Sequence, residues 1–475
     1  APAEMHRWNG ASNMVPLPGQ STPAYNENSE AYFMFAPVFG NIKVQNTGGN
    51  VTYTGSGNVG VWVAGYVPDR TKWVGTSLAP SIDLGDVYLQ GDKNVGYYLA
   101  GNNDRPSANG IFQGNIMVNA KLGTNLDGGS GSSQIGTGNI SGNDKAKSED
   151  NVAIYISSGQ RSEMNAVLNG YQQYFPATLG FTVNTVSTPN LVGIANGTEI
   201  GYPYLSADPI KNLAVSNFKI ELGKYSKRGI GMIAMNGSVV DVNTGTTISD
   251  NAGTGVDRAT ESIMFYAEGV WYNPRKALTG GTYNKEAYGR GESITGKKYI
   301  SDFNSTINVN NNIEMTSYNS IALFAKNGAK ITGKDITMNG FGSKGVFAYG
   351  VYNYGAGSIV NSTGGNANGQ PDTTIIVNNI TAKANGTAAA DKNNNIGAAA
   401  ISGEGASKGL GKTSVTVNGK VDVAGLGAFA RGDKAIVTIA GTGSNIVSGD
   451  NGALVAKEGG KINFGGGTIE HGVEN

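Results

Sequence analysis

Hydrophobic and polar residues alternate along this chain over three to five positions at a time, and each run is interrupted by Gly, Asn or Asp. Alternation with a period of two puts successive side chains on opposite faces, so each run reads as a short strand and each interruption as a tight turn. The runs come in doublets: Ile307-Asn-Val309 then Ile313-Glu-Met315, Ile331 then Ile336-Thr-Met338, Ile375-Ile-Val377 then Ile380, Val415-Thr-Val417 then Val421-Asp-Val423. Between doublets stands a small, apolar run, as in RGIGMIAMNG (228–237), SIMFYAEG (262–269), KGVFAYG (344–350) and IGAAAISG (396–403). The unit repeats. GAFARGDKAIVTI (427–439), GALVAKEGGKINF (452–464) and IALFAKNGAKIT (321–332) share a small-apolar stretch, a basic residue (Arg431, Lys457, Lys326), a Gly-containing turn and a second lysine (Lys434, Lys461, Lys330). Self-similarity at this spacing marks a solenoid. Three short strands per unit predict an all-β chain wound as a parallel β-helix, each turn giving one strand to each of three sheets. About 15 turns at about 4.8 Å each would make a rod roughly 70 Å long.

Four stretches depart from the repeat. Residues 1–40 are rich in Pro and aromatics and read as a lead-in that caps the first turn, the repeat then running over 41–475. Residues 123–150 are Gly/Ser-rich and read as a loop insertion. A second insertion, 159–212, contains one helical pattern, Ser162–Phe175, in which Met164, Val167, Leu168, Tyr171, Tyr174 and Phe175 share a face and Pro176 ends the helix. The third, 270–302, mixes aromatic and basic residues.

Composition narrows the function. The chain has 475 residues, of which 73 are Gly and 14 Pro, without a Gly-X-Y period, which excludes collagen. Lys plus Arg equals Asp plus Glu at 35 each, so no net field attracts nucleic acid or an anionic membrane. Cysteine is absent, which removes disulfides and thiol chemistry. The two histidines, His6 and His471, stand near opposite ends, so neither a triad nor a His-ligated metal is expected in mid-chain. No cofactor is expected. Asp241, Asp250, Asp257, Glu261 and Glu268 read as solvated turn acids. Paired carboxylates on a β-helix can also cleave glycans, which keeps a tailspike-like or lyase-like enzyme as the alternative, beside a pure spacer. Arg431-Gly432-Asp433 invites an integrin reading, yet its alignment with Lys326 and Lys457 makes it a repeat turn. The better candidate is 270–302: Trp271, Tyr272, Arg275, Tyr283, Tyr288 and Arg290 combine flat aromatic area with forked donors, a set suited to sugars and protein receptors.

Repeats that join a Gly/Ala-rich strand such as IALFAKNGAKIT to Asn-punctuated doublets such as SVTVNGKVDVAG resemble the passenger of a type Va autotransporter, closest to the large fusobacterial outer-membrane autotransporter adhesins. The resemblance covers roughly 40–475. It implies a right-handed parallel β-helix secreted to the bacterial cell surface as a monomeric, non-enzymatic virulence adhesin. Its partners would be host receptors, glycans or other bacteria, and a translocator barrel elsewhere in the full chain would hold it to the outer membrane. The segment would then be an internal or N-terminal part of the passenger, with no direct membrane insertion. Absence of cysteine suits a chain exported unfolded through an oxidising periplasm.

Overall fold

The computed structural model describes residues 4–9, 13–14, 31–36, 43–45, 51–53, 59–64, 81–89, 91–100, 114–123, 148–157, 213–235, 238–243, 246–250, 258–269, 305–326, 328–350, 372–384, 394–402 and 411–472. Every element among them is a β-strand. The chain visits three parallel sheets in a fixed order and returns, so it is a parallel β-helix. One turn runs through Thr306–Val309 of the first sheet, Ile313–Met315 of the second and Ile321–Lys326 of the third. The next turn follows at once with Lys330–Thr332, Ile336–Met338 and Lys344–Tyr349, each parallel to its counterpart. In the N-terminal turns one long strand serves two sheets: Ser81–Leu89 pairs with Lys43–Gln45 through its first half and Val51–Tyr53 through its second. Among the described residues the first sheet's path holds eleven rungs from Lys43–Gln45 to Lys461–Phe464. At about 4.8 Å per rung these eleven described rungs extend over about 50 Å. At the N-terminus Ala31–Ala36 joins the third sheet in parallel, while Glu4–Asn9 pairs with it antiparallel.

The bore is filled by columns of like residues. Leu213, Val240, Ile307, Ile331, Ile375, Val415 and Val437 stack in register on the first sheet, all fully buried. Ile248, Ile313, Ile336, Ile380 and Val421 do so on the second. The small-apolar runs have a packing cause. On the third sheet Ala234, Ala267, Ala325, Ala348, Ala400 and Ala430 form one column. Beside it, a Cβ on Gly397 would lie 2.6 Å from the Gly427 carbonyl oxygen and 3.0 Å from Val423 of the second sheet. A side chain at Gly397 would press on the backbone of the next third-sheet strand and on the second sheet at once.

Two corners explain the polar punctuation. From second to third sheet the chain turns through one left-handed residue per turn: Lys93, Asp150, Arg228, Glu261 and Asn319, with φ of 56, 55, 53, 56 and 50°, then Gly342 at 62°. For a non-glycine this costs about 1–2 kcal/mol. Ladders between turns offset it: Ser262 N donates to Ser320 Oγ (3.0 Å), Ser320 N to Ser343 Oγ (3.2 Å) and Ser343 N to Asn395 Oδ1 (3.1 Å). Arg228, in the same outer row, pairs with Asp150 at 2.7 Å and Glu261 at 3.6 Å. From first to second sheet the asparagines carry the turn, with Asn310 Nδ2 donating to Asn243 Oδ1 at 2.7 Å and Asn379 Nδ2 to Asp335 Oδ1 at 2.8 Å.

Candidate functional site

Trp271, Tyr272, Arg275, Tyr283, Tyr288 and Arg290 lie outside the described residues, as does Ser162–Phe175. The structure does show the base from which residues 270–304 spring. They connect Ile263–Glu268, at the end of a third-sheet strand, to Thr306–Val309 of the first sheet. Ser305 Oγ donates to the carbonyl of Glu268, holding the two ends of the connection together. Gly269 N donates to the Lys326 carbonyl at 3.1 Å and Lys330 N to the Ser305 carbonyl at 2.8 Å, which fixes both ends to the turn that follows. Glu268 itself is only 3% exposed; its carboxylate accepts from Tyr266 Oη and stands 3.5 Å from Lys326 Nζ. Ion pair, tyrosine and serine therefore make a rigid neck beneath 270–304. Two further long connections of this corner, 158–212 and 351–371, likewise follow a third-sheet strand, Val152–Ser157 and Lys344–Tyr349, and precede a first-sheet strand, Leu213–Leu222 and Thr373–Val377.

The outer side of the third sheet is unlike that of the other two. First-sheet strands such as Thr373–Val377 alternate buried and half-buried residues, whereas Ile230–Met235, Ile263–Glu268, Ile321–Lys326 and Lys344–Tyr349 are buried at every position. Opposite the alanine column's parity runs an outer column of Tyr155, Ile233, Tyr266, Phe324 and Phe347, in register from turn to turn. Tyr266 meets Phe324 edge-on at 5.1 Å and Phe324 lies 5.0 Å from Phe347. A flanking column of Val152, Ile230, Ile263 and Ile321 continues to Lys344 and then Ile396. Burial pushes the Lys344 ammonium down to about 8.

The acids expected as solvated turn residues are corrected in part. Asp250 is fully buried and accepts from Thr316 N (2.9 Å), Ser317 N (2.8 Å) and Ser317 Oγ (2.7 Å), so it ties two turns together. Glu268 is buried in the neck, Glu261 pairs with Arg228, and Asp241 accepts from Asn308 at 2.8 Å. Asp257 lies outside the described residues. Arg431 stands in register with Lys457, and Lys326 shares the column through Tyr349 and Ile401. Its guanidinium reaches Glu458 of the next turn at 3.1 Å, while Gly432, at φ 96°, and exposed Asp433 form the turn. That turn is one residue longer than the one after Lys457, and Lys434 stands one place nearer Arg431 than Lys461 does to Lys457, so Ile436 rather than Lys434 shares the column of Lys461 and Lys330. Among the described residues no group of three or more His, Cys, Asp or Glu is placed to hold a metal ion. No protein-family model, curated protein or solved structure matches the chain.

Proposed function

We propose that this chain is a non-enzymatic segment of a bacterial surface adhesin, a stiff β-helical stalk on which residues 270–304 contact a host or bacterial receptor or glycan. One observation carries the reading: the connections 158–212 and 270–304 leave the third sheet at the same corner, two turns apart. A uniform rod offers repeated, chemically similar turns, so specificity comes from what interrupts them. The rigid neck of Glu268, Lys326, Tyr266 and Ser305 holds the ends of 270–304 in place, which limits the entropy lost on binding. Engagement of Asp241, Asp250, Glu261 and Glu268 in contacts between turns supports the non-enzymatic reading. The working residues are Trp271, Tyr272, Arg275, Tyr283, Tyr288 and Arg290, and the setting is the passenger of an outer-membrane autotransporter. Deleting Asn273–Lys298 behind a short Gly/Ser bridge should leave the coil folded and reduce attachment to host or bacterial cells. Unchanged attachment would refute the assignment.

A further inference from the structure

We propose that the turn formed by residues 454–471 is a pairing surface for a second copy of this chain, the two copies meeting end to end about a two-fold axis. Among the described residues its three strands, Leu454–Lys457, Lys461–Phe464 and Gly467–His471, pair only with the turn before them. Their other edges are open rows of backbone donors and acceptors, which template pairing with a further strand. Burial falls away with the pairing. One turn earlier Ala435–Ile439 and Ser444–Ser448 alternate buried and half-buried residues, whereas Gly467–His471 is exposed at every position. Ile462 and Ile469 continue the bore columns of Val437 and Ile446, yet Ile469 is left 47% exposed. At the opposite end of the third sheet Glu4–Asn9 already lies antiparallel on Ala31–Ala36, which blocks a parallel head-to-tail stack on that sheet. The open turn is left to meet its own copy, and a two-fold contact closes at two chains.

The turn is self-complementary. With the axis through the Gly465-Gly466 corner, Lys461–Phe464 lies antiparallel to Gly467–His471 of the second copy, and residues equally far from the corner oppose one another. Lys461 then faces Glu470, Ile462 faces Ile469, Asn463 faces Thr468 and Phe464 faces Gly467, each contact occurring twice. The sides agree with the chemistry. Ile462, Phe464, Gly467 and Ile469 continue the buried positions of the turn before, and Lys461, Asn463, Thr468 and Glu470 continue its half-buried outer positions. The apolar pairs therefore close the bore, the glycine leaves room for the Phe464 ring, and two Lys–Glu pairs flank the contact outside. Directly opposed residues of antiparallel strands have Cβ atoms about 4.5–5.5 Å apart, within reach of an ion pair. Leu454–Lys457 crosses the axis and faces its own copy. The dimer departs from the monomer that the resemblance implies, and it does not rest on the adhesin reading, because its test involves no receptor.

Sedimentation velocity on the 475-residue chain at rising micromolar concentration should show a monomer–dimer equilibrium without larger species. Glu470→Lys sets lysine against lysine at both symmetric contacts and should raise the dissociation constant about tenfold or more. Adding Lys461→Glu to that variant reverses both pairs and should restore the wild-type constant. A monomer at every concentration, open-ended polymers, a dimer indifferent to Glu470→Lys, or a loss that the double variant fails to restore would each overturn the proposal.

Discussion

Lys344 stands in a column of aliphatic residues, with Ile321 before it and Ile396 after it, and is 3% exposed. Burial lowers its pKa from 10.5 to about 8. The folded state therefore releases this proton before the unfolded state does. Between about pH 8 and 10.5 the unfolded chain binds more protons, so stability rises with pH across that window and is flat in this group below it. At 1.36 kcal/mol per unit, the ammonium costs the fold about 3 kcal/mol at pH 7, an upper bound on what its removal can return. Lys344→Met keeps the length of the side chain and removes the charge. The variant should be more stable at pH 7, by up to about 3 kcal/mol less whatever polar interaction the ammonium keeps. Urea unfolding at pH 7, 9 and 10.5, with amide exchange on Lys344–Tyr349, separates the outcomes. Wild-type protection should climb from pH 8 to 10.5 relative to the variant. A Met variant that is weaker at pH 7, together with a wild type that shows no such rise, would refute the reasoning.

Glu268→Ala leaves Lys326 buried without its carboxylate, and loss of one partner of a buried pair costs about 3–5 kcal/mol; faster amide exchange in Ile321–Lys326 than in distant strands would register it. Gly397→Ala forces a methyl to within 2.6 Å of the Gly427 carbonyl oxygen, so a loss of about 1–3 kcal/mol in thermal unfolding is expected, and a neutral result would show that the corner has slack. Asp433→Glu should leave cell attachment unchanged, because the tripeptide is a turn whose arginine is engaged by Glu458; lost attachment with intact circular dichroism would restore the integrin reading.

The period-two doublets located the first and second sheets because those strands bury one face and wet the other, and alternation records that difference. The third sheet was legible as strand but not as a doubly buried layer, since a run such as IGMIAM has no alternation to read. Asp250 and Glu268 look like turn acids because sequence shows neighbours along the chain, whereas their partners come from other turns, Thr316 and Ser317 for one and Lys326 for the other. The left-handed corner was equally hidden. Lys93, Arg228 and Glu261 are poor candidates for positive φ by type, and the serine and asparagine ladders beside them exist only in register.

The corner from third to first sheet closes in the same way whatever lies between. Ser238 Oγ donates to the Met235 carbonyl at 2.7 Å across three positions, and Ser305 Oγ makes the same bond to the Glu268 carbonyl across 37. The next turn then takes Thr306 N on the Ser238 carbonyl and Lys330 N on the Ser305 carbonyl, both at 2.8 Å. Closure is thus set by the coil, and the length of the connection enters only through loop entropy. By the logarithmic dependence on length, the longer connection costs about 2 kcal/mol more than the shorter. That small penalty explains how a long segment can be carried on a stalk without disturbing its register. Replacing 269–304 by Asn-Gly would give Glu268 the connection that Met235 already has. The variant should keep the parallel coil and unfold at equal or slightly higher urea, with the gain limited to about 2 kcal/mol. If instead Thr306–Val309 and Lys330–Thr332 lose amide protection, the excursion itself holds the neck closed, and the corner is not the length-independent joint argued here.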